Sequence, residues 1–174
     1  DGDRVVVECI QGCGDCSECK SGNAIGCAQR TELGVIGRNG AYARHLAAPA
    51  RFVHRIGNEA DLLRASLTEP LAVVLKGLRR LKAAEPGANR GPCAVIGAGP
   101  IGHICAQVLK RSGVPVTAID RSEKRRSYFN GAGIETSADL KNLSRFSLIV
   151  EATGDPEVLN RALHESPANA TILL

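Results

Sequence analysis

Residues 93–120 read CAVIGAGPIGHICAQVLKRSGVPVTAID, and this stretch sets the architecture of the second half of the chain. An apolar strand at its start runs into a G-x-G-x-x-G turn at 97–102, and a helix, a second strand and Asp120 follow. A dinucleotide-binding βαβ unit has this order, because its glycines allow a sharp turn, a close approach of pyrophosphate and tight packing of helix on strand. Asp120 stands where such units carry the acid that bonds the ribose hydroxyls. The alternative is a glycine turn in an unrelated parallel sheet, and the matching acid argues against it.

Strands and helices continue to alternate to the end of the chain, as a parallel sheet requires. The sequence therefore predicts an α/β fold of the Rossmann type, with a doubly wound sheet that carries helices on both faces. The predicted strands are 93–96, 115–119, 147–151 and 171–174, and the predicted helices lie near 101–111, 124–130 and 157–164. The loop at 152–154 follows a strand at its carboxyl end, so it is expected to line the ligand cleft.

Four cysteines stand close together in the run CGDCSECKSGNAIGC, residues 13–27, with the spacing C-x2-C-x2-C-x7-C. Two-residue gaps let thiolates turn inward around one ion, and four sulfurs favour tetrahedral Zn2+. Because four protein ligands leave no position for water, the site is predicted to be structural and not catalytic. The alternative is four free or oxidised thiols in a loop, which would be a redox liability. The predicted ligands are Cys13, Cys16, Cys19 and Cys27.

The first 56 residues alternate short apolar stretches with glycine turns, which predicts a β-rich piece. The candidate strands are VVVECI at 5–10, LGVIG at 33–37, YARHLAA at 42–48 and RFVHRI at 51–56. From 59 to about 83 the pattern becomes helical, with a break at Pro70. The segment EPGANRGP at 85–92 is predicted to be a turn-rich connection.

The remaining cysteines and histidines have simpler interpretations. Cys9, Cys93 and Cys105 lie in apolar stretches and are expected to be small buried hydrophobic residues. His103 follows the glycine turn, where it could approach a pyrophosphate, but it is expected to lie on a helix face. The other histidines have no neighbours at metal-binding spacing.

The composition argues against several classes of function. The chain is 44% hydrophobic and 23% charged and has no run of eighteen apolar residues, so a membrane protein is not expected. The net charge of +4 is modest, and three Phe, two Tyr and no Trp offer little surface for stacking on bases. Nucleic acid is therefore not an expected partner, and a zinc-ribbon nucleic-acid binder is disfavoured. The composition agrees with a cytoplasmic protein.

These features together resemble the zinc-containing medium-chain alcohol and polyol dehydrogenases, in particular the sorbitol, threonine and glucose dehydrogenase branch. The resemblance covers nearly the whole chain and includes the cysteine run and the glycine turn. Four further segments carry it, namely GDRVVVE at 2–8, NGAYARHLAAPARFVHRI at 39–56, LTEPLAVVLKGL at 67–78 and LIVEATGDPEVLNRAL at 148–163. It implies part of a GroES-like catalytic domain with a zinc lobe at 1–65, connecting helices at 66–90 and part of a Rossmann domain at 91–174.

The resemblance also implies an activity. It is zinc-assisted transfer of a hydride from a secondary alcohol, such as a polyol, sugar or amino alcohol, to a nicotinamide cofactor. Asp120 favours NAD because its charge repels a 2′-phosphate, whereas Arg121 and Arg125 leave NADP open as a second cofactor. The expected cofactor-binding residues are Gly97, Gly99, Pro100, Ile101, Gly102, Asp120, Arg121, Arg125, Thr153 and Gly154.

Glu69 is the candidate catalytic residue. In the polyol- and sugar-oxidising branches a Glu-Pro pair at this place approaches the catalytic zinc, so the resemblance implies Glu69 as a ligand of a second Zn2+. The alternative is an ordinary helix start, in which Thr68 caps the helix, Pro70 occupies the first turn and Glu69 faces the positive helix end.

The family's other catalytic zinc ligands, a cysteine and a Gly-His-Glu segment, would precede Asp1. The chain is therefore expected to be an internal fragment of a longer enzyme and to be inactive alone. The complete protein is expected to act on a small-molecule alcohol, and a homo-oligomer is left open. The competing hypothesis is a non-catalytic module that binds a dinucleotide and uses its zinc lobe for assembly.

Overall fold

The structure is a computed structural model that describes residues 2–84 and 91–174. The chain divides into two compact units, Asp1–Glu69 and Pro70–Leu174. The predicted α/β class is confirmed, because the second unit is built on a five-stranded parallel sheet with helices. Most of the predicted connection at 85–92 lies outside the described residues. None of the described helices combines the length and the apolar character that crossing a membrane requires.

Among residues 2–69 the structure describes five short strands in two sheets. They are β1 (Val5–Val7), β2 (Ile10–Gln11), β3 (Thr31–Leu33), β4 (Gly37–Arg38) and β5 (Val53–Arg55), accompanied by α1 (Ser17–Lys20) and α2 (Leu62–Ala65). β1 pairs antiparallel with β5, while β3 pairs antiparallel with β2 and parallel with β4. Single 3-10 turns lie at Ala24–Gly26 and Ala50–Phe52.

The expected single strand at 33–37 is wrong, because residues 34 and 35 form a turn between β3 and β4. The expected strand at 42–48 is also wrong. No strand that the structure describes pairs with these residues, which form bends and open chain instead. Tyr42, the first residue of this stretch, is fully exposed. Extended chain without a pairing partner gains no ladder hydrogen bonds, so its alternating pattern alone does not make it a strand.

Helix α3 (Thr68–Ala84) corrects the predicted break at Pro70. Pro70 is its third residue, and in the first turn of a helix the backbone N–H has no partner within the helix, so proline is tolerated. The break lies before Thr68, between α2 and α3. The Thr68 hydroxyl donates to the Ala65 carbonyl at 2.7 Å, so Thr68 does not cap α3 as the alternative for Glu69 supposed.

The second unit is a five-stranded parallel sheet with helices. Its strands are β6 (Cys93–Ile96), β7 (Val116–Ile119), β8 (Glu135–Ser137), β9 (Leu148–Glu151) and β10 (Thr171–Leu173), in the order β10-β9-β6-β7-β8. Its further helices are α4 (Pro100–Arg111), α5 (Glu123–Ser127) and α6 (Pro156–Glu165), with a 3-10 turn at Leu143–Arg145. The predicted strands and helices are confirmed, although α5 ends earlier than expected. β8 was not predicted, because its sequence ETS contains no apolar residue.

Helices cover both faces of this sheet, as predicted. Successive strand residues point to opposite faces, and β6 accordingly gives Cys93 and Val95 to one hydrophobic cluster and Ala94 and Ile96 to the other. Helices α3 and α4 pack on the first face, while α6 and the 3-10 turn pack on the second. Because β6 is buried on both faces, its carboxyl end is a rigid base for the loop that follows.

Candidate metal centre and dinucleotide cleft

The structure brings the four predicted cysteine ligands of the first unit together. Their Sγ atoms all lie within 4.8 Å of one another, and those of Cys13 and Cys19 are 4.0 Å apart. Zn–S bonds of about 2.3 Å place the sulfurs of a tetrahedral site roughly 3.8 Å apart, so the cluster has nearly the size that one ion requires. Within the described parts of the chain, this is the only group of three or more candidate metal ligands.

The backbone of this lobe turns the sulfurs inward. Cys16 is the N-cap of α1, and its Sγ accepts the N–H of Cys19 at 3.5 Å. The buried Cys27 accepts the N–H of Cys13 at 3.4 Å. Gly12 is required by a close approach, because a Cβ there would lie 2.5 Å from the Sγ of Cys19. Amide donors that face sulfur favour the thiolate, which is the form that binds metal.

The same hydrogen bonds set the acidity of the thiols. Backbone N–H groups of Asp15 and Cys16 lower the pKa of Cys13 to about 6. At Cys19 the Gly14 N–H favours the thiolate, but burial and hydrogen bonds with the other sulfurs outweigh it and raise the pKa of Cys19 to about 11. One thiolate thus forms readily, while further thiolates beside it need a cation to balance their charge. A soft divalent ion such as Zn2+ supplies that charge, so the donor set fits the predicted metal.

Arg51, which lies two residues before β5, supports the zinc lobe. Sequence analysis did not identify this residue. Its guanidinium donates to the carbonyl oxygens of Gly12 and Cys13, each at 3.3 Å. The same group lies 4.8 Å from the centroid of the Phe52 ring. Arg51 therefore fixes the entry to the cysteine run and places a positive charge beside a site that four thiolates make negative.

In the second unit, the glycine loop joins β6 to α4. Gly97 has a φ of 96°, in the left-handed region that favours glycine. A Cβ on Gly102 would collide with the Gly97 carbonyl oxygen, so α4 keeps its position only with glycine there. A Cβ on Gly99 would have no atom within 4 Å, and the space beside this N-cap of α4 is open to a ligand. Pro100 and Ile101 follow as the first residues of α4, with Ile101 40% exposed.

Asp120 lies at the carboxyl end of β7 and is 7% exposed. Its Oδ2 accepts the N–H of Ala98 and its Oδ1 accepts the N–H of Ser122, both at 2.8 Å. Burial acts to raise the pKa of Asp120, but these two N–H groups and the Arg125 guanidinium outweigh it and lower the pKa. The carboxylate is therefore ionised and also anchors the glycine loop, a contact that the sequence did not indicate.

Three arginines follow Asp120 closely in sequence, and one of them contacts its carboxylate. Arg121 is exposed, and the side chain of Arg125 is 57% exposed with its Nη1 3.5 Å from Oδ2 of Asp120. Arg126 donates from Nη1 to the Asp120 carbonyl at 2.6 Å. Arg121 and Arg125 can therefore reach an anion at this strand end, while Arg126 is engaged with the backbone.

The loop after β9 lies against the glycine loop. A Cβ on Gly97 would lie 2.9 Å from Cγ2 of Thr153 and 3.0 Å from the carbonyl carbon of Ala152. Thr153 and Gly154 are exposed, and Gly154 has a φ of 69°. The structure thus brings predicted residues from three adjacent strand ends, those of β6, β7 and β9, to one edge of the sheet, where parallel sheets bind ligands.

Glu151, the last residue of β9, is a buried acid at this edge that sequence analysis did not select. Its carboxylate accepts N–H groups from the loop that follows. The available signal was a charged residue at the end of the otherwise apolar strand LIVE.

Glu69 lies exposed in the first turn of α3. It does not belong to any group of three candidate metal ligands among the residues that the structure describes. Burial, and after it the negative charges of Glu69 and Glu32, raise the pKa of Cys9. The role of Glu69 as a ligand of a catalytic zinc stays a prediction.

The expectations for the other cysteines hold in two cases of three. Cys93 and Cys105 are buried, and burial raises the pKa of Cys105 to about 11. Cys9 is only half-buried, because it lies between two short strands at the surface of the first unit. His103 lies on α4 as expected and stacks on Phe129 with ring centroids 4.4 Å apart, and burial lowers its pKa.

Two family profiles match the chain. Residues 1–58 match the alcohol dehydrogenase GroES-like domain, and residues 91–162 match an FAD binding domain. The second match falls on the βαβ unit, and FAD and NAD proteins share this unit because it holds the ADP half of either cofactor.

Several known proteins are similar to the chain. It is 35% identical to D-altritol 5-dehydrogenase of Agrobacterium fabrum, over 88% of this chain and 47% of that protein. It is 32% identical to a sorbitol dehydrogenase of Halalkalibacterium halodurans, over 87% of this chain and 44% of that protein. A short chain alcohol dehydrogenase of Escherichia coli solved with NADH has the same fold, with a TM-score of 0.80, 24% identity and coverage of 98% of this chain and 53% of that one. The chain spans about half the length of these proteins.

Proposed function

The chain belongs to the zinc-containing medium-chain alcohol and polyol dehydrogenases, and on this premise we propose that it carries the cofactor cleft and structural zinc lobe of an NAD-dependent polyol dehydrogenase. Two observations support this proposal above the others. The glycine loop, the ionised Asp120 and the Thr153 loop meet at one sheet edge, while four cysteine sulfurs cluster in the first unit.

In the proposed reaction a hydride leaves the carbinol carbon of a secondary alcohol for the nicotinamide ring, and the hydroxyl proton goes to solvent. A bound nicotinamide dinucleotide supplies the hydride acceptor. The N-terminus of α4 and the open space at Gly99 bind its pyrophosphate, and Asp120 accepts hydrogen bonds from its adenosine ribose. We assign cofactor contacts to Gly97, Gly99, Pro100, Ile101, Gly102, Asp120, Arg121, Arg125, Thr153 and Gly154.

The proposed substrate is a polyol or a related sugar alcohol, because the similar proteins include an altritol and a sorbitol dehydrogenase. A catalytic zinc, when bound, supplies Lewis-acid activation of the alcohol oxygen, and we propose Glu69 as one of its ligands. The four-cysteine zinc has no position for substrate and serves structure alone.

The proposal also covers location, partners and domain limits. Four zinc-binding thiolates persist best in a reducing compartment, so we propose a cytoplasmic enzyme. We propose no nucleic-acid or membrane partner and leave a homo-oligomer open. The proposed domain limits are 1–65, 66–90 and 91–174.

Asp120 is expected to select NADH over NADPH, and this tests the proposed cleft. In the Asp120→Asn variant the ratio of the two affinities should shift toward NADPH by about tenfold, because the charge that repels a 2′-phosphate at close range is lost. Asparagine retains one oxygen for the Ala98 N–H, so the glycine loop keeps an anchor. Fluorescence titration of the protein with both reduced cofactors measures the ratio.

The matched control is Glu165→Gln, which removes one exposed acid at the far end of α6 and should leave the ratio unchanged. Tighter binding of NADPH than of NADH by the unmodified protein, or an unaltered ratio in Asp120→Asn, would show that Arg121 and Arg125 select the cofactor instead. No binding of either cofactor would overturn the proposed function.

Glu69→Ala is expected to lower kcat/KM for oxidation of sorbitol or altritol by about a hundredfold in the complete gene product, if one ligand of a catalytic metal is lost. NADH formation at 340 nm with NAD+ measures this. The control is Glu59→Ala, a nearby acid outside α3, which should retain activity. A fully active Glu69→Ala variant would return Glu69 to the helix-start interpretation, and cofactor binding without turnover would favour the non-catalytic module.

A further inference from the structure

Glu151 is a buried acid with an unusual set of partners. It is 9% exposed, and its three donors all come from Thr153 and Gly154, the second and third residues of the 152–154 loop. Oε1 accepts the N–H of Thr153 at 2.6 Å and also the Thr153 hydroxyl, and Oε2 accepts the N–H of Gly154 at 3.2 Å. The carboxylate thus closes a small ring that fixes the backbone of the loop.

The 152–154 loop in turn limits the space beside the glycine loop. The Ala152 N–H donates to the Ile96 carbonyl at 2.8 Å, directly before Gly97. A Cβ on Gly97 would lie 2.9 Å from Thr153 Cγ2, so the two loops are already in close contact. A shift of the Thr153 backbone by a few tenths of an ångström would therefore change the shape of the cleft.

Charge alone does not explain a carboxylate at this position. Within the described ranges, no Lys, Arg or His lies within ion-pair distance of Glu151, so it is held by neutral donors. A negative charge near the pyrophosphate of a dinucleotide opposes binding by Coulomb repulsion. What remains for Glu151 to contribute to ligand binding is the geometry that it gives to the loop.

The strand order places this contribution on one side of the cleft. β9 and β7 lie on opposite sides of β6, so Glu151 and Asp120 flank the glycine loop from opposite sides. Asp120 serves the adenosine ribose in the proposed function, which leaves the Glu151 side for the other half of the dinucleotide.

We propose that Glu151 is a positioning residue that holds the 152–154 loop in the shape required by the nicotinamide half of the cofactor. This inference rests on the proposed function, because it presumes that the cleft binds a nicotinamide dinucleotide. Glu151 acts through Thr153 and Gly154 and touches no reacting atom.

The test compares the whole cofactor with its adenosine half. In Glu151→Gln the amide has one acceptor oxygen and a donor NH2, so an N–H of the loop faces another donor. We expect the Kd for NADH to rise about tenfold and the Kd for ADP to stay within about twofold, as measured by calorimetry. Glu157→Gln removes an exposed acid from the start of α6 and serves as the control for charge, with no weakening expected.

The outcomes separate the alternatives. If charge were the only effect, Glu151→Gln would bind NADH more tightly, since a repelling charge is gone. If Glu151 served stability alone, the affinities for NADH and ADP would fall together, and the melting temperature would fall as well. Either result overturns the inference, and so does unchanged NADH affinity. Failure of the unmodified protein to bind NADH would overturn the proposed function instead.

A second measurement needs no variant and covers the case in which Glu151→Gln does not fold. The N–H groups of Thr153 and Gly154 should exchange slowly with deuterium in the unmodified protein, because Glu151 accepts them. They should exchange still more slowly with NADH bound and not with ADP bound. Exchange at the rate of open loop amides, or equal protection by both ligands, would contradict the inference.

Discussion

Replacing Cys16 with serine is expected to remove the metal from the protein and to unfold the zinc lobe. Cys16 contributes one of four sulfurs and also accepts the Cys19 N–H, so the variant loses a metal ligand and a thiolate acceptor together. Structural zinc contributes about 10 to 16 kcal/mol in small metal-dependent folds, and the lobe of the first unit has only short strands to replace that contribution. Metal analysis should fall from about one zinc per chain to near zero.

The control for this variant is Cys9→Ser. Cys9 is half-buried and lies outside the four-cysteine cluster, so its variant should retain the full metal content. Hydrogen exchange should rise across 12–33 in Cys16→Ser and remain unchanged at β6. A Cys16→Ser protein that keeps one tightly bound zinc would contradict the structural-zinc assignment, and so would an unmodified protein purified without metal.

The sequence predicted well those parts of the molecule in which the spacing of residues along the chain determines which atoms meet in space. The cysteine run and the G-x-G-x-x-G turn each act over fewer than twenty residues, so their residue order fixes which atoms meet. The parallel sheet followed for a similar reason, because buried strands such as β6 and β9 are apolar on both faces.

The failures concern contacts between distant parts of the chain. The alternating pattern at 42–48 predicted a strand. A strand requires a partner strand, and the local sequence does not show whether one is available. Asp120 anchors Ala98 across 22 positions, and Arg51 reaches Gly12 across 39. Both contacts support the predicted sites, and neither has a spacing rule that could reveal it.

The break expected at Pro70 failed for a different reason. Proline disrupts a helix interior but suits its first turn, and the choice depends on where the helix begins. Here Thr68 begins α3, two residues before Pro70, and its hydroxyl bonds back to Ala65. The helical pattern from 59 onward put the proline in a helix interior, whereas the helix start considered for Glu69 put it in a first turn, and the local sequence did not decide between the two.

Gly102→Ala is expected to destabilise the second unit by about 3 kcal/mol or more and to abolish NADH binding. A methyl group there collides with the Gly97 carbonyl oxygen, which is part of the rigid end of β6 and cannot move aside. Relief requires α4 to shift away from the sheet, and Cys105 and Leu109 would then leave the hydrophobic cluster. Thermal unfolding followed by circular dichroism measures the loss.

Gly99→Ala is the matched comparison, because it adds the same methyl group three residues earlier, at the N-cap of α4. Nothing lies within 4 Å of the added atom, so the stability should change by no more than about 1 kcal/mol. The affinity for NADH should nevertheless fall by about tenfold or more, since the methyl group occupies the space through which pyrophosphate approaches the backbone. The two glycines would then separate packing from binding. Equal stability of both variants would contradict the packing role of Gly102, and undiminished NADH binding by Gly99→Ala would place the pyrophosphate elsewhere.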